Sequence, residues 1–149
     1  GTPEVGVVYC PPTGEMVAAA RGCGAWDEYG RPVRVSGRET LEEAWFLTTD
    51  PADLYQREPR WTRGLLESTL SVRTWADAYG YMLVARGDAD LIIDPIMSPW
   101  DIAPLGVVIR EAGGTFSDID GQDRAIGRSA VAGASPELHR AALALRTAD

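Results

Sequence analysis

The stretch "WDIAPLGVVIREAGG", residues 100–114, decides how this chain is read. Ile102, Leu105, Val108, Ile109 and Ala112 recur at the spacing of one helical face, which predicts a buried amphipathic helix. Gly113 is the expected stop, because glycine takes the left-handed conformation that closes a helix. Asp101 stands directly before the apolar run. Read from this helix alone, it is a cap that accepts a hydrogen bond from a free first-turn N–H and meets the positive end of the helix dipole. Pro104 is then expected inside the first turn, where a missing N–H costs nothing.

Upstream of that helix the pattern alternates. "ADAYGYMLVARG" places Ala78, Tyr81, Met82 and Ala85 on one helical face and ends at Gly87. "ADLIIDP" reads as a short buried strand closed by proline, and "TLSVRTW" and "AWFLTT" as strands before it. Residues 53–68 are ambiguous, with Pro59 interrupting any continuous helix. The first part of the chain reads as β. "EVGVVYC" and "EMVAAARG" form a hairpin around "PPTG", and "RPVRVS" follows. "VGVVY" is apolar on both faces and wants cover on both sides. After the glycine stop, "GTFSDIDG" reads as strand then turn and "SAVAGAS" as a strand. In the last helix Ser135 caps, Pro136 takes the first position, and Leu138, Ala141, Ala142 and Leu145 face inward. Helices alternating with short buried strands predict a layered α/β sandwich over residues 1–149 as one domain.

The totals narrow the function. With 149 residues and 45% hydrophobic content the chain can build a real core. A formal net charge of -8, with the arginines spread out, disfavours nucleic acid and anionic lipid as partners. No apolar run approaches a membrane span. The hairpin turn pairs Cys10 with a residue near Glu15 or Met16, away from Cys23. No disulfide is expected, a reducing cytoplasm is, and both cysteines read as small buried hydrophobes. His139 reads as a surface residue, Glu111 as a solvated helix residue, and Trp26, Trp45, Trp61 and Trp75 as packing.

Three acids sit at strand-to-helix transitions. Asp94 ends the strand before the quoted helix, Asp77 follows a strand and opens a helix, and Asp101 is the third. Ligands collect beyond the C-terminal ends of strands in α/β sheets, helix N-termini bind phosphate, and a carboxylate beside phosphate can hold Mg²⁺. A shared rim is the sharper reading of these acids; three separate caps is the plainer one.

The quoted helix resembles the C-terminal signature of the inositol monophosphatase superfamily, a Trp-Asp pair followed by a helix ending in Glu-Ala-Gly-Gly. "RTWADAYGYMLVARGDADLIIDPIMSPWD" looks most like the histidinol-phosphate phosphatase branch, and "GVVYCPPTGEMVAAARGCGAW" is similar to the family's hairpin after its second metal motif. The resemblance implies the C-terminal half of the sugar-phosphatase fold and a Mg²⁺-dependent phosphomonoesterase. It implies Asp101 as a metal ligand, Asp94 as a contact to the substrate's alcohol portion, and Asp77 and Ala78 as lining of the substrate pocket. An acidic Asp77 suits a cationic substrate group such as the ammonium of histidinol phosphate.

The family's Asp-Pro-x-Asp-Gly-Thr motif, which supplies two further metal aspartates, does not occur here, and "SDIDGQD" at 117–123 reads as a turn. The expectation is therefore a chain that lacks the N-terminal metal-binding half and is inactive alone. Its partners would be a small phosphorylated metabolite and either a second copy or the missing half. Inositol-1-phosphate is the alternative substrate, and a non-catalytic fragment or structural subunit the alternative class.

Overall fold

The computed structural model describes residues 1–75, 77–124 and 127–147. A first antiparallel sheet has strand order β1-β2-β3-β4, from β1 (Val5–Cys10), β2 (Glu15–Ala20), β3 (Ala25–Asp27) and β4 (Pro32–Val33). The expected hairpin forms with Cys10 opposite Glu15. Of "RPVRVS" only Pro32 and Val33 pair.

The second sheet contains β5 (Trp45–Thr48), β6 (Ser71–Thr74), β7 (Leu91–Asp94), β8 (Thr115–Ser117) and β9 (Ala130–Gly133), in the order β6-β5-β7-β9-β8. β5 runs parallel to both β6 and β7, so the C-terminal ends of these three strands share one edge. β9 pairs antiparallel with β7 and β8.

Helices fill the space between and beyond the sheets. α3 (Asp77–Arg86) and α4 (Pro99–Glu111) lie between the two sheets. Their Tyr81, Met82, Leu105 and Val108 join Val8 and Val17 of one sheet and Ile92 and Ala132 of the other in a single cluster. α1 (Pro51–Arg57), α2 (Pro59–Ser68) and α5 (Pro136–Thr147) cover the far face of the second sheet, where Phe46, Leu91, Ile93 and Val131 meet Leu54, Trp61, Leu65 and Leu138. The order of layers is sheet, helices, sheet, helices, the layered α/β arrangement expected. Alternation along β7 explains it: Ile92 points to one layer, Leu91 and Ile93 to the other.

Local signals account for most boundaries. Pro59 does not merely interrupt a helix; it opens α2 at its first position. Asp50 caps α1 by accepting from the N–H groups of Ala52 and Asp53. Ser135 accepts from Leu138 N–H at 3.1 Å, the expected cap of α5. Gly113, at φ 92°, ends α4, with its N–H and that of Gly114 donating back to Arg110 and Ile109. Gly6 lets β1 lie against α4: a Cβ there would stand 2.2 Å from the Pro104 carbonyl oxygen.

Several expectations change. α4 begins at Pro99 with Ser98 at the N-cap position, so Asp101 lies inside the first turn and is not the cap. Pro104 falls in the second turn for the same reason. β1 has the cover it wants on one face, where Val8 is buried, and lacks it on the other, where Val5, Val7 and Tyr9 are exposed. Cys10 is half-buried and Cys23 exposed; both are free. Trp61 is buried, but Trp26, Trp45 and Trp75 are exposed.

His139 is buried rather than superficial. It packs in α5 against Gly133 and shares a 2.9 Å hydrogen bond between Nε2 and Ser117 Oγ. Burial holds its pKa down to about 4. Glu111 is no free solvated residue either. Its carboxylate accepts from Gly22 and Gly24 N–H at 2.9 and 2.8 Å, which pulls its pKa down and ties the 21–24 loop to α4. "SDIDGQD" is a turn as expected, organised by Asp118, which accepts from Asp120 and Gln122 N–H.

Candidate active site

The shared C-terminal edge of β5, β6 and β7 carries the candidate residues. Asp94 is the last residue of β7 and Thr49 directly follows β5. Asp77 opens α3 beyond β6. Parallel strands place their C-terminal loops side by side, so residues far apart in sequence meet there.

Asp94 is only 4% exposed. Its Oδ1 accepts from Thr49 N–H at 2.8 Å and, more weakly, from the Thr48 hydroxyl at 3.5 Å. Its Oδ2 accepts from the Thr49 hydroxyl at 3.1 Å and the Tyr81 hydroxyl at 3.0 Å. Burial pushes its carboxyl above the usual range, and the charge of Asp77 adds to the rise, against the pull of these hydrogen bonds. Burial, then the neighbouring Asp94, pushes the Tyr81 phenol up as well. Four internal donors thus occupy the Asp94 carboxylate. Direct contact with a substrate hydroxyl, which the resemblance implies, would have to displace one of them.

Asp77 is the opposite case. It is exposed, and its carboxylate has no hydrogen bond or ion pair with any described residue. Its backbone N–H donates to Thr49 Oγ1 at 3.1 Å. The structure therefore joins Asp77 to Asp94 through Thr49. Ala78 is half-buried against the core between the sheets, and Ala76, also in the "WADA" stretch, lies outside the described residues. Trp75 stacks on Tyr79 with centroids 5.8 Å apart.

Asp101 is exposed in the first turn of α4, with Trp100 exposed beside it. No hydrogen bond links it to Asp77 or Asp94. The segment between β7 and α4 is held instead by Met97, whose N–H donates to the Arg128 carbonyl and whose sulfur lies 3.3 Å from the Tyr81 hydroxyl oxygen. Among the described residues no three His, Cys, Asp or Glu side chains gather to hold a metal. Mg²⁺ takes about six oxygen donors in near-octahedral geometry. One exposed carboxylate does not make that site; its oxygens, without a partner among the described residues, fit the share of a single ligand.

Thr49 and Tyr81 did not stand out as site residues in the sequence. Tyr81 reads only as a core residue of an amphipathic helix. Thr49 carries one usable signal, its place immediately after a strand that turns out to be parallel.

A layered α/β protein with acids on a parallel-strand edge is the class this geometry defines, and the comparisons narrow it. The structure of an inositol monophosphatase from Zymomonas mobilis matches with a TM-score of 0.89, covering 99% of this chain and 59% of that one, at 19% identity; that likeness shows the fold. The family model for the inositol monophosphatase family matches residues 1–148. The histidinol-phosphatase of Chlorobaculum parvum is 35% identical over 147 residues, 94% of this chain and 54% of that protein. The histidinol-phosphatase of Mycobacterium tuberculosis is 37% identical over 137 residues, 89% of this chain and 53% of that protein. The chain belongs to the inositol monophosphatase family. It spans about half the length of the curated relatives it matches.

Proposed function

We propose that this chain forms the C-terminal part of a Mg²⁺-dependent cytoplasmic phosphomonoesterase that hydrolyses histidinol phosphate in histidine biosynthesis. Family membership supports the reaction class, and identity to two histidinol-phosphatases supports the substrate. The observation that carries the substrate choice is the carboxylate of Asp77 beyond the parallel strands, exposed and without a partner among the described residues. A carboxylate so placed is available to a cationic ligand, and the ammonium of an amino-alcohol phosphate is such a group. An inositol ring carries no cation for it to meet.

In this reading Asp101 is the metal-ligating carboxylate these residues contribute, alongside donors they do not themselves supply. A divalent cation stabilises charge on the phosphate and lowers the pKa of bound water. The residues here bind and orient. Asp77 takes the ammonium, Ala78 lines the pocket, and Asp94 forms the wall behind Asp77, its charge held by Thr49 and Tyr81.

The test uses the full-length protein that carries this chain, with histidinol phosphate and Mg²⁺. Asp101→Asn should lower kcat by on the order of 100-fold, the scale of losing a metal ligand's charge. Its melting temperature should stay close to wild type, because the side chain makes no bond within the described residues. Near-normal turnover in Asp101→Asn would return this residue to a favourable partner of the helix dipole.

A further inference from the structure

Asp77 has a φ of 51°, the one positive value at a non-glycine among the described residues. Left-handed backbone crowds Cβ against a carbonyl oxygen, so such a residue persists where its surroundings hold it. The backbone bond it makes here runs to a side chain: its N–H donates to Thr49 Oγ1 at 3.1 Å. The Thr49 hydroxyl in turn donates to Asp94 Oδ2, also at 3.1 Å.

The direction of both bonds follows from their chemistry. A backbone N–H only donates and an ionised carboxylate only accepts. A hydroxyl supplies one proton and keeps lone pairs, so it can serve both at once. Thr49 is itself fixed, since its own N–H donates to Asp94 Oδ1 at 2.8 Å. Asp94 is fixed from the other side by the buried Tyr81. An exposed turn is thereby tied, through a single hydroxyl, to a buried carboxylate on a neighbouring strand.

We propose that Thr49 is a positioning residue for substrate charge recognition: its hydroxyl anchors the left-handed turn at Asp77 to the buried Asp94, and so aims the Asp77 carboxylate at the cationic group of the substrate. This inference rests on the reading of Asp77 given above. It assigns direct recognition to Asp77 and a supporting role to Asp94, which acts through Thr49.

The experiment measures KM and kcat of the full-length protein for histidinol phosphate and for uncharged glycerol 2-phosphate. Asp77→Ala should raise KM for histidinol phosphate about tenfold and leave glycerol 2-phosphate within about twofold. Thr49→Val, which keeps the shape and loses the hydroxyl, should reproduce that pattern. Thr49→Ser should stay within about twofold of wild type on both substrates. Added to Asp77→Ala, Thr49→Val should change the ratio between substrates no further. Should Thr49→Val fail to fold, Thr49→Ala serves the same comparison. Equal effects of the Thr49 variants on both substrates, or effects that multiply with Asp77→Ala, overturn the positioning role while a selective Asp77→Ala leaves the substrate reading standing. An unselective Asp77→Ala overturns both.

Discussion

The two sheets of this molecule bury their strands differently. In the five-stranded sheet every residue of β7 and β9 is buried, because helices pack on both faces. In the four-stranded sheet β1 alternates: Gly6 and Val8 are buried against the helices, while Val5 at 65%, Val7 at 49% and Tyr9 at 57% face outward. All three strands are mostly apolar in sequence. Composition alone therefore does not say how many faces a strand buries, whereas the helices packed against it do. The candidate site follows the same division, since its residues stand on the doubly covered sheet, where the surroundings of Asp94 are tightly determined.

The sharpest way to break this comparison is a cavity in the doubly covered layer. Ile92 is fully buried and packs towards Gly80, where an added Cβ would stand 2.6 Å from its Cδ1. Ile92→Ala should cost about 2–5 kcal/mol in denaturant unfolding. A loss under about 1 kcal/mol would mean this layer is loosely packed.

Acid is a second way in. His139 sits in the same region with its pKa held down to about 4. The unfolded chain takes up the proton at about pH 6.5. Stability from this group is thus complete above that pH and is lost as pH falls towards the folded value, by on the order of 3 kcal/mol in all. His139→Gln, which does not titrate, should flatten the pH dependence of stability across that window relative to wild type. Parallel curves for the two proteins would place His139 in water rather than in the core.

The smallest effect is expected on the open face. Val7→Thr should change stability by no more than about 0.5 kcal/mol. A loss comparable to that of Ile92→Ala would show this face to be covered in solution, and the contrast between the sheets would vanish.

Much of the frame was legible from short-range signals. The hairpin at "PPTG", the stop at Gly113 and the cap at Ser135 rest on bonds between residues a few positions apart, and they appear where the pattern placed them. α4 starts a few residues before the point that Asp101 marks: Asp101 is a good cap by type, yet Ser98 and Pro99 already begin the helix. The burial of His139 is not legible in the sequence, because a lone histidine beside Arg140 says nothing about which face of α5 meets the sheet. The strand-end acids could be listed from sequence, but their surroundings could not: Asp77 and Asp94 look alike until Thr49 and Tyr81 are seen to hydrogen-bond the carboxylate of Asp94.

The sequence by itself determined the α/β class, most element boundaries and the three acids at strand-to-helix junctions, because helical periodicity, caps and turns are energies of neighbouring residues. Tertiary structure alone decided which carboxylate is buried and which is exposed. Asp94 meets Thr49 across 45 positions, and Glu111 meets Gly22 across 89. Bonds of that range form only when packing has already brought the elements together. The desolvation that raises the Asp94 pKa and lowers that of His139 arises at the same step, since it depends on what covers a group and not on what precedes it in the chain.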